Sequence, residues 1–179
     1  RQRQMCIRDR GGITTASNGE IVINGKNITS MSEKELAKFR LENIGFVFQA
    51  YNLIPEMTAY QNIILPLKLA HKKIDKKYLS DICNKLSISD RLSHLPSELS
   101  GGQQQRVAIA RALITKPSIL LCDEPTGNLD KKSSEDVLDL LTQLCADNGC
   151  TLILVTHDKS VADRMGRIIT ISDGEISED

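Results

Sequence analysis

The stretch Ile119-Leu120-Leu121-Cys122-Asp123-Glu124-Pro125 places four apolar residues directly before two carboxylates. A short apolar run of this kind is typical of a buried strand, which we predict over residues 118–122. Two other apolar runs also end on polar side chains, since residues 46–48 precede Gln49 and the run that starts at residue 152 precedes His157. In open α/β sheets, ligands bind beyond the carboxyl ends of the strands. If the strands are parallel, all of these polar groups lie at one edge.

The polar groups at the three strand ends suit one kind of chemistry. An amide (Gln49), two carboxylates (Asp123 and Glu124) and an imidazole (His157) together suit a bound metal, an attacking water and a phosphate. Each residue alone also has a structural explanation: Gln49 as a loop residue, the carboxylates as helix or turn caps, and His157 as a hydrogen-bonded structural histidine. Their combination favours a catalytic edge.

Strands and helices alternate along the chain from residue 11 onward. This alternation indicates the α/β class, with a mostly parallel sheet that helices cover on both faces. The predicted strands are 20–23, 44–48, 118–122, 151–155 and 167–171; the predicted helices are 32–40, 102–113, the apolar face 137–145 that ends before Gly149, and 159–163.

One region interrupts the alternation. Residues 52–99 are rich in Leu, Ile and Lys, contain no convincing strand, and are broken by Pro55, Pro66 and Pro96. The pattern predicts a helical subdomain inserted into the α/β core, with bounds at about 52–106.

A serine and two glycines open the helix that follows, in the stretch Leu99-Ser100-Gly101-Gly102-Gln103. Glycines at a helix start leave room for close approach to the exposed backbone N–H groups, and the helix dipole favours an anion there. The stretch therefore suits a phosphate cradle, although a plain glycine-containing helix start explains it equally well by itself.

These motifs together resemble the ATP-binding-cassette (ABC) ATPases. Residues 99–103 match the family's signature motif, and 119–125 resemble its Walker B strand. Residues 128–130 are similar to the D-loop, Gln49 to the Q-loop glutamine and His157 to the switch histidine. The order and spacing of the five motifs agree with the family across 11–179, which implies a P-loop NTPase-type sheet.

The resemblance implies a role for each motif residue. The family's ATPase subunits form a head-to-tail homodimer with two ATP molecules between them. Asp123 would hold Mg²⁺, Glu124 would act as general base, and His157 would contact the γ-phosphate. Gln49 would reach Mg²⁺ and the attacking water. The signature residues Ser100, Gly101, Gly102 and Gln103 would bind the ATP of the opposite subunit, and Asp130 would communicate across the interface.

The Walker A motif of the family is absent from these 179 residues. It has the form Gly-x-x-x-x-Gly-Lys-Ser/Thr and binds the phosphates of ATP. Gly11-Gly12 and the residues after them resemble the segment that follows the Walker A helix, so the motif is expected before Gly11. Residues 1–10 instead hold four arginines without any periodicity. We interpret them as a foreign or mis-assembled segment, or alternatively as a short basic tail, and expect this chain to be inactive alone.

A subgroup of exporter-associated ATPases is the nearest resemblance. Residues 46–55 and 124–130 are similar to the ATPases of lipoprotein-release, macrolide-efflux and antimicrobial-peptide-resistance systems. This implies a separate membrane permease as partner and a cytoplasmic, peripheral location on the inner face of the cell membrane. The alternatives are a soluble ABC-class ATPase that acts on DNA or ribosomes, and a catalytically dead regulatory module.

Composition excludes several other classes of protein. The 23 basic and 23 acidic residues balance, which argues against a nucleic-acid partner. No apolar run approaches the roughly 18–20 residues that span a bilayer, and no secretory leader is recognisable. The five cysteines are odd in number and form no CxxC pair, so we expect free thiols in a reducing compartment.

Overall fold

The computed structural model describes residues 18–172 and 175–178. The interpretations of residues 1–10 and of Gly11-Gly12 lie outside these ranges. Along the chain the elements are β1 (Val22–Ile23), β2 (Lys26–Asn27), α1 (Glu33–Asn43), β3 (Ile44–Phe48), α2 (Ala59–Leu69), α3 (Lys76–Lys85), α4 (Gly101–Leu113), β4 (Ile119–Asp123), α5 (Lys131–Asp147), β5 (Thr151–Val155), α6 (Lys159–Ala162), β6 (Ile169–Ser172) and β7 (Glu175–Glu178), with short 3₁₀ turns at Ser89–Arg91 and Pro96–Glu98.

A three-stranded parallel sheet lies at the centre, in the order β3-β4-β5. Its central strand is almost wholly buried, as expected for a parallel strand covered on both faces. Successive side chains of a strand point to opposite faces. Leu120 and Cys122 accordingly join one core cluster, while Leu121 joins another with Phe39 of α1. The predicted α/β class with helices on both faces is confirmed.

The last predicted strand does not extend the parallel sheet. It forms as β6, slightly later than the predicted 167–171, and pairs antiparallel with β7. Only two residues separate β6 from β7, and antiparallel strands can be joined by so short a connection. The nearby strand therefore supplies the backbone partners of β6. At the other end of the chain, the predicted strand 20–23 forms only as β1, which pairs with β2 in a hairpin around Asn24-Gly25, both in left-handed conformation.

The region after β3 contains helices joined by loops and 3₁₀ turns, with no strand between residues 52 and 106. The prediction that Pro66 breaks a helix is wrong, because α2 continues through it to Leu69. Proline in a helix interior costs about 3 kcal/mol. Ile63, Ile64 and Leu67 of the same helix are buried in the larger core cluster, and each buried aliphatic side chain contributes about 1.5–3 kcal/mol. Packing thus outweighs the lost hydrogen bond.

Helix starts follow the sequence signals closely. Ser32 and Glu35 form a capping box at the start of α1, which then runs three residues beyond the predicted end at residue 40. In the described part of the chain, no helix has both the length and the apolar character needed to cross a membrane.

Candidate functional site

The polar strand ends meet at one edge of the sheet, as predicted. Phe48, Asp123 and Val155 are neighbours in register across the three parallel strands. The residue that follows each of them therefore emerges at the same edge. The Glu124 amide also donates a hydrogen bond to the Val155 carbonyl oxygen at 2.9 Å, which ties the turn after β4 to β5.

Glu124 is the most constrained residue at this edge. Its backbone is left-handed, with φ of 46°, although it carries a side chain. Non-glycine residues in such conformations cluster at functional sites. The side chain is 18% exposed, and Thr156 Oγ1 donates to its Oε2 at 3.1 Å. The His157 amide donates to Oε1 at 2.9 Å. The carboxylate is thus held in one orientation.

His157 pairs with the same carboxylate. Its Nδ1 lies 2.7 Å from Glu124 Oε1, while the side chain is 71% exposed. When Nδ1 carries the proton, it donates to the carboxylate, and Nε2 remains the second hydrogen-bonding atom of the ring. The structure therefore brings the predicted base and the predicted switch histidine into direct contact.

The hydrogen bonds of Gln49 go to the loop after β4 and not to Glu124 itself. Its Nε2 donates to Asn128 Oδ1 at 3.1 Å, and Asn128 Nδ2 donates back to the Gln49 carbonyl oxygen at 2.9 Å. Gly127 lies under the same side chain, where a Cβ atom would stand 2.7 Å from Gln49 Nε2. Asn128 belongs to the D-loop stretch, but the sequence assigned it no contact.

The signature residues form the start of α4. Ser100 Oγ accepts from the Gln103 amide at 3.3 Å, and Gln103 Oε1 accepts from the Ser100 amide at 2.9 Å. This reciprocal capping box explains Ser100 and Gln103 structurally. The space around Gly102 is open, with no atom within 4 Å of a Cβ placed there. A helix N-terminus with such an open position can accept an anion.

Two residues of α4 that sequence reasoning missed connect this helix to the edge. Gln105 is fully buried, and its Nε2 donates to the Pro125 carbonyl oxygen, next to Glu124, at 2.6 Å. Arg111 donates to the carbonyl oxygens of Tyr51 and Asn52 at 2.7 and 2.6 Å. Burial lowers the pKa of the Arg111 guanidinium. Both residues follow the signature stretch in the sequence, but nothing in their spacing indicates which loops they contact.

Asp130 and Asp123 have different surroundings. Asp130 caps α5, accepting from the Ser133 hydroxyl at 2.6 Å and from its amide at 3.0 Å, and these hydrogen bonds hold the pKa of the carboxyl below its usual value. Asp123 ends β4 and is half-buried. Among the described residues, no group of three or more His, Cys, Asp or Glu side chains is arranged to hold a metal.

Two cavities adjoin the edge. One, of about 650 Å³, is lined by Glu124, His157, Lys131, Arg164 and neighbouring residues. The other, of about 260 Å³, separates residues 154–159 at the end of β5 from residues 167–171 around β6. Both include His157, so the polar edge opens on two sides.

The parallel sheet, the helices on both faces and the polar edge define an α/β protein of the P-loop NTPase type. Residues 11–127 match the family described as ABC transporter. The chain belongs to this family. A solved dimeric structure of the ATP-binding cassette MJ0796, in a post-hydrolysis state bound to ADP and Pi, matches with a TM-score of 0.87 at 38% identity, covering 99% of this chain and 79% of that one.

Curated relatives agree with the family assignment. The ABC transporter ATP-binding protein YtrE of Bacillus subtilis (strain 168) is 47% identical over 153 residues, which cover 84% of this chain and 66% of YtrE. The lipoprotein-releasing system ATP-binding protein LolD of Francisella tularensis subsp. holarctica (strain OSU18) is 43% identical, with 93% and 73% covered. The macrolide export ATP-binding/permease protein MacB of Bartonella quintana (strain Toulouse) is 46% identical, with 94% and 26% covered. The chain thus spans about two thirds to three quarters of YtrE and LolD.

Proposed function

We propose that the intact protein hydrolyses ATP and couples this reaction to the export or release of a substrate by a separate membrane permease. The single observation that carries the proposal is the Glu124 carboxylate, fixed by Thr156 and His157 at the carboxyl edge of the parallel sheet. A carboxylate in this position is suited to accept a proton from an attacking water. His157, in contact with it, is suited to orient that water and to contact the terminal phosphate.

Asp123 and Gln49 are the proposed magnesium ligands. Mg²⁺ prefers oxygen ligands, and it usually binds one or two carboxylates together with waters and substrate phosphates. A half-buried carboxylate at the end of β4, with an amide at the neighbouring strand end, fits this pattern. When bound, the ion would offset negative charge on the phosphates.

The start of α4 is the proposed second phosphate site. Its open position at Gly102 offers backbone N–H groups to an anion from outside the subunit. Ser100 and Gln103 hold the helix start in shape by capping it. We propose that the γ-phosphate of an ATP bound to a second copy occupies this position in a head-to-tail homodimer, with Asp130 near the interface. The dimeric state named for the MJ0796 cassette supports this assembly.

The strand that carries Walker A has a suitable place in this fold. The described strands leave one side of β5 without a partner strand, and the cavity of about 260 Å³ lies between β5 and the segment around β6. We propose that the Walker A strand of the intact cassette pairs with β5 there, which would deliver the phosphate loop next to His157. Residues 1–179 contain no Walker A motif, so we expect this chain alone to bind ATP weakly.

The proposed partner is a permease of the exporter type, and the proposed location is the cytoplasmic face of the cell membrane. The names of LolD and MacB connect such ATP-binding proteins with lipoprotein release and macrolide export. The exposed Gln49 loop, tied to α4 through Arg111 and to the D-loop through Asn128, is suited to pass a movement at the surface to the catalytic edge.

A chimera tests the catalytic part of the proposal. The part of YtrE that precedes its counterpart of Gly11 would replace residues 1–10, and the chimera and the 179-residue chain would be assayed for ATP hydrolysis. We expect turnover by the chimera and none by the 179-residue chain above its own Glu124→Gln variant. Within the chimera, Glu124→Gln should lower kcat by at least about a hundredfold, since general-base catalysis contributes about 10²–10⁴.

Two results would contradict these expectations. Robust hydrolysis by the 179-residue chain would show that the chain hydrolyses ATP without a Walker A motif. A chimera that binds ATP but turns it over no faster than its Glu124→Gln variant would favour the regulatory module instead. Co-purification of the chimera with a permease in detergent tests the transport part separately, and stimulation by DNA would favour the rival soluble class.

A further inference from the structure

Two buried cysteines lie on either side of the turn that ends α5. Cys145 is 3% exposed and Cys150 is 8% exposed. The Cys150 amide donates to the Cys145 carbonyl oxygen at 2.9 Å, and the Gly149 amide donates to the Ala146 carbonyl oxygen at 3.2 Å. With Gly149 left-handed at φ of 62°, this is the Schellman arrangement of a helix end. The turn brings residues 145 and 150 side by side.

The side chains of the two cysteines lie in the same buried cluster. In a Schellman motif these two positions commonly hold a hydrophobic pair in contact, and here the pair consists of two thiols. Donation from the Cys145 thiol, with help from the Leu120 amide, lowers the pKa of Cys150 despite its burial. The same hydrogen bond raises the pKa of Cys145. Cys150 lies beyond the helix end between the exposed Gly149 and Thr151, and it is more exposed than Cys145, so a small reagent reaches the Cys150 thiol first.

The other described thiols are suitable comparators. Cys83 lies in α3, buried among aliphatic side chains, and burial raises its pKa to about 11. Cys122 lies in β4, which is paired with a strand on each side, and its fully enclosed thiol has a raised pKa because of burial. The backbone of a central strand cannot shift easily to form a cross-link. All four described cysteines are free.

We propose that Cys145 and Cys150 form a site of reversible oxidation that takes low-molecular-weight disulfides as its substrate. The Cys150 thiolate attacks one sulfur of the small disulfide, which forms a mixed disulfide and releases one small thiolate. Cys145 then loses its proton to solvent, attacks the Cys150 sulfur and releases the second small thiolate. Two protein thiols are oxidised to one disulfide, and the small disulfide is reduced to two thiols. The product links the end of α5 to the start of β5.

Oxidised glutathione is the probe for the test. The full 179-residue chain would be incubated with it, alkylated, digested with trypsin and analysed by mass spectrometry at successive times. Residues 133–159 contain no Lys or Arg before Lys159, so one tryptic peptide carries both cysteines, while Cys83 and Cys122 fall in other peptides. We expect this peptide to lose two hydrogen atoms at least about tenfold faster than Cys83 reacts, because Cys150 has a neighbouring thiol at a helix end, whereas Cys83 is 1% exposed inside a helix.

Single variants assign the order of the two steps. Cys145→Ser should accumulate glutathione on Cys150, because no second thiol can displace it. Cys150→Ser should leave Cys145 reduced, and Cys83→Ser should oxidise as the unaltered chain does. In urea all cysteines should react at similar rates. The proposal is overturned by a lasting glutathione adduct in the unaltered chain, by a link between the Cys122 and Cys150 peptides, or by oxidation no faster than at Cys83. ATP hydrolysis is not part of this test, so its outcome is independent of the proposed function.

Discussion

Single side chains connect the loops around the catalytic edge. Glu124 has a left-handed backbone, and the Glu124 side chain contacts Thr156 and His157. The carbonyl oxygen of the next residue, Pro125, accepts a hydrogen bond from the buried Gln105. Gln49 is joined to Asn128 by hydrogen bonds in both directions. These contacts link the Q-loop, the D-loop and the signature helix through very few groups. Loss of one group should therefore loosen a specific loop.

Asn128→Ala tests this at one residue. The variant removes both hydrogen bonds to Gln49, so the amides of residues 49–52 should exchange with solvent several-fold faster, as measured by hydrogen–deuterium exchange. The free energy of unfolding should fall by less than about 1 kcal/mol, because both exposed groups regain hydrogen bonds to water. Asn84→Ala, which loses an exposed hydrogen bond from Ser89, is the matched control. Unchanged exchange at 49–52 would contradict the expected link.

At the scale of elements, the contact between β3 and α4 is unusually close. A Cβ atom on Gly45 would lie 2.5 Å from the Ala112 carbonyl oxygen and 2.8 Å from Leu120 Cδ1. Only glycine lets the helix approach the strand at this distance, so the packing of the signature helix on the sheet depends on that position.

Gly45→Ala should therefore destabilise the protein by about 1–3 kcal/mol, the usual effect of overpacking a core. Urea unfolding followed by circular dichroism would show this as a lower midpoint with an unchanged slope. Gly166→Ala is the control, because nothing lies within 4 Å of its added Cβ. Equal midpoints for the two variants would show that α4 can move away from β3 freely.

Carboxylates at four helix starts give the fold a dependence on pH. Hydrogen bonds lower the pKa of each carboxyl. Glu35 accepts from the hydroxyl and amide of Ser32, and Asp75 accepts chiefly from the Tyr78 amide. Asp130 and Asp158 accept from the hydroxyl and amide of Ser133 and Ser160, respectively. A carboxyl whose pKa is lower in the folded state stabilises it above the unfolded pKa, and this stabilisation is lost as pH falls through the folded pKa.

The free energy of unfolding should accordingly fall between about pH 5 and pH 2. Urea unfolding at several pH values measures this slope. The double variant Asp75→Asn with Asp158→Asn keeps side chains that can cap a helix but cannot ionise, so its slope should be smaller. Asn84→Ala, which removes no ionisable group, is the control and should leave the slope unchanged. If the double variant has the same slope as the unaltered chain, the capping carboxylates are not the cause of the pH dependence.

At the scale of the whole molecule, the proposed function makes the polar edge and the start of α4 two parts of one site that forms when two copies meet. A carboxylate at Gly102 would occupy the place proposed for the partner's γ-phosphate. Because the space there is open and a negative charge suits a helix N-terminus, Gly102→Asp should leave the monomer stable.

In the chimera that also carries Glu124→Gln, ATP should induce a dimer that sedimentation velocity detects. Gly102→Asp should abolish that dimer, whereas Gly166→Asp, on an open position elsewhere, should retain it. Dimerisation that survives Gly102→Asp would place the interface away from the signature helix.

The sequence alone determined several of the elements and the residues of the edge. Apolar runs and the glycines near helix ends are local signals, so strands β3 and β5 appeared at the predicted residues and α4 within one residue. The alternation of strands and helices also predicted a parallel sheet, which places Gln49, Glu124 and His157 at one edge.

Only the tertiary structure decided which groups contact each other there. Three sets of hydrogen bonds join positions far apart in the chain. They connect Gln49 with Asn128, Gln105 with Pro125, and Arg111 with residues 51 and 52. No local pattern encodes such distances. Packing also decided that α2 continues through Pro66 and that β6 pairs with β7, because burial and nearby backbone partners outweigh local preference when the whole chain is folded.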